Sequence, residues 1–412
     1  MDVIRRGALE IVPEAELVRK LERSQREGKP LVIKQGFDPT RPDLHIGHAV
    51  SLRKLRDFQE LGHDVVFVMG TFTALVGDPT GRNEQRPPLS EEEVEANGRT
   101  YAEQVFQVLD PARTRIQPNA DWLAPMQLRG VMELTAKYTV ARMLERDDFA
   151  QRFAGGRPIS LVEFLYPLMQ GYDSVALRAD VELGGSDQKF NLLVARDLQE
   201  RYGQEPQVCL LMPLLRGTDG EQKMSKSYDN YVGLADPPQQ QYGRTMSIPD
   251  ALLEEWWRLA SGAEGGALDE GLRLAAADPY RSKRELAARI VALYHGEPAG
   301  AAAAEGFDAL FRRREVPDEI PSFQLEPGDP ALSVTEGHVA LARLLVRVGL
   351  ATSNSDAQRQ IQQGAVQVNG ERVAARDHAV PVGSEILLQK GKRHFARVGW
   401  TGKSGDSNAL AD

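Results

Sequence analysis

The 412-residue chain has the apolar and charged fractions of an ordinary folded protein and the length for two or three domains, which excludes a disordered or fibrous sequence. Its net charge of -9 excludes a protein that coats nucleic acid indiscriminately, although such an average can conceal a local basic region. Cys209, alone in the apolar run 208–212, excludes an internal disulfide; with no apolar stretch of membrane-spanning length and no signal-peptide core near Met1, the expectation is a cytoplasmic protein with no membrane partner.

In chain order, Leu9, Val12, Leu17 and Leu21 with charges between them suggest one or two amphipathic helices ahead of the first strand. Residues 30–35 favour a strand that ends at Gly36. Residues 36–48 read Gly-Phe-Asp-Pro-Thr-Arg-Pro-Asp-Leu-His-Ile-Gly-His and turn into a helix, its apolar positions Ile46, Ala49, Val50, Leu55, Phe58 and Leu61 recurring on a helical period up to Gly62. His45 and His48 thus lie in a first helical turn, where backbone N–H groups lack partners and the dipole is positive, so an anion such as phosphate is favoured. Gly47 places no side chain between them and lets a flat ligand approach the backbone. The apolar run 64–70 completes a βαβ unit, and further strands are expected at 114–117, 179–183 and 207–213. The economical architecture is α/β, a doubly wound parallel sheet of Rossmann type, with ligands beyond the carboxyl ends of strands that Gly36, Gly70 and Gly184 mark.

The loop 77–88 carries Arg82 and Arg86 among turn formers and by itself reads as a solvated turn. Patterns at 91–109 and 128–148 read as helices inserted between sheet strands, a surface for pairing with a second subunit. In the helix 159–178, Tyr166, Gln170 and Asp173 share one stripe at i, i+4 and i+7. A polar stripe can simply face water, but this one holds short hydrogen-bonding groups without Lys or Glu, which favours a pocket lining. Downstream, paired glycines at 184–185 permit close approach, Ser186 is expected to cap a helix running to Tyr202, and Asp187 and Gln188 are left to read a ligand. Residues 220–228 then present Lys223 and Lys226 on an apparently mobile loop; beside a phosphate-friendly helix end, two such cations can hold a polyphosphate leaving group.

Residues 236–314 are helical throughout, and a proline-rich connector follows. From Glu336 to Trp400 nine Lys or Arg stand against five acids, an excess of four in an otherwise acidic chain. That module reads as two helices, 339–348 and 356–363, a hairpin turning at Asn369-Gly370, and a last strand at 385–389 leading into a basic segment, a composition that suggests RNA.

His45-Ile-Gly-His48 together with Lys223-Met-Ser-Lys-Ser227 resembles the two signature motifs of the class I aminoacyl-tRNA synthetases, in their usual order. With Gly184-Gly-Ser-Asp-Gln188 and the Tyr166, Gln170, Asp173 stripe, the chain is similar over nearly its whole length to bacterial tyrosyl-tRNA synthetases. The resemblance implies a Rossmann-type catalytic domain at 1–234 with a helical dimerisation insertion at about 90–165, a helical anticodon-arm domain at 235–315, a linker at 316–335, an S-four-like RNA-binding domain of α+β type at 336–400 and a disordered tail from 401. It implies L-tyrosine, ATP with Mg2+ and tRNA(Tyr) as substrates and a homodimer as the assembly. It further implies that Thr40, His45 and His48 contact phosphates and adenosine, that Lys223 and Lys226 clamp pyrophosphate with Arg82 and Arg86 assisting, and that Met224 and Ser225 complete the ATP loop. Ser51 would lie near the ribose, Asp187 would bind its hydroxyls, and Gly36, Asp38, Gly47 and Gly185 would shape the nucleotide pocket. Asp78, Tyr166, Gln170 and Gln188 would hold the substrate ammonium and carboxylate, and Asp173 would accept the phenol proton. No protein-held metal is implied. One departure stands out: Lys34 occupies a position where the best-known members carry a tyrosine that shares recognition of the phenol, and an ammonium cannot accept a hydrogen bond. The rivals are a tryptophanyl enzyme, which normally lacks the basic module, a catalytically silent RNA-binding relative, and a generic nucleotidyltransferase.

Overall fold

A computed structural model describes residues 1–80, 89–311, 320–335, 337–391 and 394–401. The chain divides into two compact units, Met1–Ala304 and Glu305–Asp412. Arg82 and Arg86, like the tail expected to be disordered, lie outside the described residues.

The first unit is built on a six-stranded sheet of β1 (Glu10–Val12), β2 (Val32–Phe37), β3 (Asp64–Met69), β4 (Thr114–Pro118), β5 (Val181–Gly185) and β6 (Val208–Met212), in the order β1-β6-β5-β2-β3-β4. All neighbours run parallel except β1, which pairs antiparallel with β6. β3 and β6 are nearly or wholly buried along their length, which is why they read as unbroken apolar runs rather than alternating ones. The three-residue β1 was not foreseen, since two apolar residues carry no period. Helix α1 (Asp2–Arg5) precedes it and α2 (Glu14–Glu27) follows it, in place of a purely helical start.

α3 (Ile46–Glu60) buries Ile46, Ala49, Val50, Leu52, Leu55 and Phe58 against the sheet. At about 1.5–3 kcal/mol for each large side chain buried, that face fixes where the His45 turn stands. α10 (Leu161–Leu177) and α11 (Lys189–Arg201) pack on one another and bracket β5. Strand order reverses between β2 and β5, whose carboxyl ends diverge into the crevice that such sheets use for ligands.

Between them lie α4 (Thr73–Val76), α5 (Glu91–Val105) and α6 (Ala120–Leu123). The helix expected at 128–148 is three short ones: α7 (Leu128–Thr135), α8 (Val140–Met143) and α9 (Asp147–Ala154). Thr139 and Arg146 take extended backbone at the breaks, and the Thr139 hydroxyl accepts the Arg142 N–H, so capping outcompetes continuation. Leu128, Met132, Val140, Phe153 and Leu161 stand exposed on this stretch. The expected cap at Ser186 is also replaced: Ser186–Gln188 form one 3-10 turn and α11 starts at Lys189 with no side-chain cap.

α12 (Pro238–Met246), α13 (Leu253–Leu259), α14 (Gly265–Ala277), α15 (Pro279–His295) and α16 (Glu297–Phe311) follow. Trp256, Leu286 and Ile290 belong to the same continuous core as Ile33, Val65 and Leu210 of the sheet. Among the described residues, no helix is long and apolar enough to cross a membrane.

The second unit has its own core, with Leu341, Leu344, Ile361, Val366 and Leu388 at its centre. Its five-stranded sheet orders β10-β9-β12-β13-β7, with β7 (Ser322–Leu325), β9 (Val366–Val368), β10 (Glu371–Val373), β12 (Ile386–Lys390) and β13 (His394–Trp400), while β8 (His338–Ala340) pairs with β11 (Ala379–Pro381). α17 (Leu341–Arg347) and α18 (Asn354–Gln362) pack beside it. Asn369 and Gly370, at φ 51° and 86°, make the expected hairpin turn. Two expectations change. Residues 322–325, assigned to a linker, form an edge strand parallel to β13, and the basic segment after β12 is itself a strand. A connector placed by composition cannot show that its backbone completes a sheet edge.

Candidate active site

Beyond the carboxyl ends of β2 and β5 opens a cavity of about 330 Å3. Gly36, Asp38, Thr40, His45, Gly47, His48 and Ser51 line it from β2 and α3, while Lys223, Met224 and Ser225 close it from the loop after β6. Asp78, Tyr166, Gln170, Asp173, Gly185, Asp187 and Gln188 complete the lining. Lys226 lies beside the cavity rather than in its lining, its Nζ donating to the Tyr101 hydroxyl at 3.1 Å and to the Arg41 carbonyl at 3.2 Å.

The two signature segments are joined by backbone. Ile46 donates to the Val232 carbonyl and Leu234 to the Leu44 carbonyl, so the chain leaving the lysine loop runs antiparallel to the entry of α3. The loop expected to be mobile is braced: Met224 is buried and bonded to the Leu215 carbonyl. Asn230, 2 % exposed, accepts from the Ser225 N–H and donates to Asp219 and the Lys223 carbonyl. Asn230 was missed because its partners, spread over 219–225, form no periodic pattern with it.

His45 and His48 stack with ring centres 3.7 Å apart. His48 Nδ1 accepts the His45 backbone N–H at 3.2 Å, so its own proton sits on Nε2, free to be donated. The His45 side chain turns back on the His48 backbone N–H in a capping-box arrangement, and its buried Nδ1 makes no full hydrogen bond among the described residues. Burial above all, then the cations Lys226 and Lys223, pulls His48 down to about 3; burial, His48 and the same lysines hold His45 well below its ordinary range. Both imidazoles are therefore neutral donors at physiological pH. A Cβ at Gly47 would meet His45 Nδ1 at 3.0 Å and Met224 at 3.4 Å, so the glycine also lets the histidine ring and the loop close on each other. The Ser51 hydroxyl is largely committed, donating to the His48 carbonyl and accepting from Gln35. Lys223 Nζ contacts Asp187 at 2.5 Å, so the residues expected to take pyrophosphate and ribose pair with each other.

Across the cavity the groups are anionic and interlocked. The Tyr166 hydroxyl donates to Asp38 at 2.8 Å, and Thr73 donates to the other Asp38 oxygen at 2.7 Å. A Cβ at Gly70 would fall 2.0 Å from that carboxylate, which requires glycine there. Gln188 donates to Asp78 at 2.8 Å. Asn191, 1 % exposed, donates to both Gln170 and Gln188 at 3.0 Å and accepts from Arg146, whose guanidinium also reaches Thr80 and Asp148. Asp173 accepts from Trp122 Nε1 at 2.8 Å and Asn119 at 3.4 Å, and burial pushes its carboxyl up to about 7 against the opposing influence of Lys34. Asn119, Trp122, Arg146 and Asn191 were missed: the first two reach the site from α6 and its N-cap, Arg146 from the N-cap of α9 and Asn191 from α11, and none belongs to a motif.

A doubly wound sheet whose switch-point crevice sets a histidine helix start against a lysine loop defines a class I aminoacyl-tRNA synthetase. The family model "tRNA synthetases class I (W and Y)" matches residues 26–312, and that of the "Tyrosine--tRNA ligase SYY-like C-terminal domain" matches 322–398. The chain is 52% identical over 399 residues to a tyrosine–tRNA ligase of Moorella thermoacetica, covering 96% of this chain and 94% of that one. It is 51% identical over 401 residues to one of Geobacter sulfurreducens, covering 97% and 98%. A C-terminally truncated mitochondrial tyrosyl-tRNA synthetase of Coccidioides posadasii superposes with a TM-score of 0.59 at 25% identity, over 73% of this chain and 89% of that one. The chain belongs to the tyrosyl-tRNA synthetase family.

Proposed function

We infer that the chain is a tyrosine–tRNA ligase, which joins L-tyrosine to the α-phosphate of ATP, releases pyrophosphate, and passes the tyrosyl group to the 3′-terminal ribose of tRNA(Tyr). The observation that carries this reading is one cavity with two opposite characters, the neutral imidazoles and Lys223 on one side and Asp38, Asp78 and Asp173 on the other. The substrate ammonium is held by Tyr166, Gln170 and Asp78, with Gln188 near the carboxylate. Tyr166 spends its proton on Asp38, which leaves its oxygen lone pairs as acceptors. Asp173 accepts a hydrogen bond from the phenol hydroxyl, with Trp122 and Asn119 fixing its orientation.

Held there, the tyrosine carboxylate meets the α-phosphate without a covalent enzyme intermediate, and the barrier falls through positioning and charge neutralisation. Thr40 and the His45 and His48 donors meet phosphates as charge grows on them, and Asp187 turns to the ribose once ATP separates it from Lys223. Lys223 and Lys226 follow the pyrophosphate, a charge to which the sequence resemblance also assigns Arg82 and Arg86. Magnesium enters as part of the nucleotide substrate, its coordination completed by phosphate oxygens and water.

The exposed apolar residues of α7 to α10 support pairing with a second copy as a homodimer. The α12–α16 helices are assigned to the anticodon arm and the basic module 336–400, S-four-like in its sequence resemblance, to further tRNA contacts; the working compartment is the cytoplasm. Tyrosine-dependent ATP–pyrophosphate exchange tests the assignment. The expected result is exchange that requires tyrosine, and exchange driven by tryptophan with tyrosine inert would overturn it.

A further inference from the structure

Lys34 does not face the substrate. Its side chain is fully buried, and so is that of Glu182, its register partner on the neighbouring parallel strand, with Nζ and Oε1 3.0 Å apart. Most of the remaining bonds of this pair go to one turn of α10. Lys34 donates to the Gln170 carbonyl at 3.3 Å, the Gln170 amide donates to Glu182 Oε1 at 3.3 Å, and the Ser174 hydroxyl donates to Oε2 at 3.2 Å. Gln207 donates to Oε2 from beyond β5. Asp173 lies inside the clamped turn, between Gln170 and Ser174.

A buried ion pair is weak evidence for stability, because apolar residues of similar volume often serve as well. Here the pair supplies what apolar residues cannot: directed bonds to the turn that carries two substrate-reading side chains, and a cation behind a buried carboxyl. We propose that Lys34 and Glu182 are positioning residues for recognition of the substrate hydroxyl, clamping the 170–174 turn and balancing their opposed charges so that Asp173 stands ready as an ionised acceptor. The proposal rests on the reading of Asp173 as the phenol acceptor. It also accounts for a lysine at a position from which no hydrogen bond can be accepted, since Lys34 acts through Asp173 from behind.

The charged and titratable groups around Asp173 are few. Lys34 on β2 favours its carboxylate and Glu182 on β5 opposes it, Trp122 and Asn119 donate to it, and burial works against its charge. Tyr166 on α10 is neutral, its ionisation suppressed by burial first, then by Asp38, Asp78 and Asp173.

The two partners therefore act with opposite signs, which a purely structural pair would not do. The test is tyrosine-dependent ATP–pyrophosphate exchange from pH 5.5 to 9 in the full-length protein, for Lys34→Met, Glu182→Gln and the double variant, with thermal melts to confirm folding. Loss of the cation is expected to move the acid limb of kcat/KM for tyrosine up by about one pH unit, a tenfold loss on that limb. Glu182→Gln moves the limb down, and the double variant returns it close to the parent while tyrosine KM stays several-fold raised, because the clamp is gone. KM for ATP changes less than tyrosine KM throughout. Discrimination against phenylalanine falls in Lys34→Met at pH 7 and recovers at pH 9.

Acid limbs that move in the same direction in both single variants, or not at all in folded protein, overturn the proposal. If Lys34→Met does not fold, Glu182→Gln and the double variant still decide the sign. Asp173→Asn separates the two levels: an unchanged acid limb there removes Asp173 as the acceptor, whereas a lost limb there with unmoved limbs in the pair variants refutes the pair alone.

Discussion

On the tyrosine side of the cavity the polar groups are already bonded to one another. Asp38 holds Tyr166 and Thr73, Asp78 holds Gln188, and Asn191 ties Gln170 to Gln188 with Arg146 behind it. On the nucleotide side the pairing is provisional: Lys223 neutralises Asp187 while 45 % exposed, Lys226 leans on Tyr101, and His45 Nδ1 makes no full hydrogen bond among the described residues. Under the proposed assignment of the site, the difference follows from what each side has to do. Preorganised acceptors recognise a small ammonium and a phenol without paying for reorganisation, whereas cations that follow a leaving group must exchange their partners during the reaction.

Breaking the nucleotide side has the largest expected consequence. Lys226→Ala removes a cation that acts mainly in the transition state, so the adenylation rate should fall by about 10²–10³, near 2.7–4 kcal/mol, with tyrosine KM little changed. Single-turnover adenylate formation beside equilibrium tyrosine binding measures both, and a pure loss of tyrosine binding would contradict the contrast.

Asn191→Ala attacks the other side without touching substrate. It frees Gln170 and Gln188 and leaves Arg146 short of an acceptor, so KM for tyrosine should rise about tenfold, the scale of one buried hydrogen bond, with KM for ATP nearly constant. Equal rises in both constants would mean that the two sides are not separately organised.

The smallest effect is on stability. The folded Asp173 carboxyl titrates at about 7, above its usual range, so its contribution is fully present at low pH and is lost as pH rises through 7. Asp173→Asn carries no such dependence. Its Tm relative to the parent should therefore climb between about pH 4 and 7 even as tyrosine activation fails; a Tm difference flat with pH would show that the carboxyl is not strained by burial.

The nucleotide side was legible because its chemistry is local. His45, Gly47 and His48 share one turn, and Lys223 and Lys226 share one loop, so spacing alone placed donors beside donors and cations beside cations. Tyr166, Gln170 and Asp173 were legible for the same reason, as one stripe of one helix. The supporting residues were not: Trp122 and Asn119 reach Asp173 from about fifty positions away, and Asn191 meets Gln170 across 21. Segments with too few apolar residues to carry a period, such as β1, or with capping residues inside a helical pattern, such as 128–148, were read wrongly on the same account.

By itself the sequence determined the βαβ frame, the paired signature segments and the cavity-lining stripe, since each depends on intervals of a few residues that helix and strand geometry impose. Only the tertiary structure decided what stands behind them. Lys34 is the plainest case, because its position in the chain suggested a missing reader of the phenol. Parallel pairing of β2 with β5 sets it against Glu182, and the packing of α10 over both turns that ion pair toward the substrate turn.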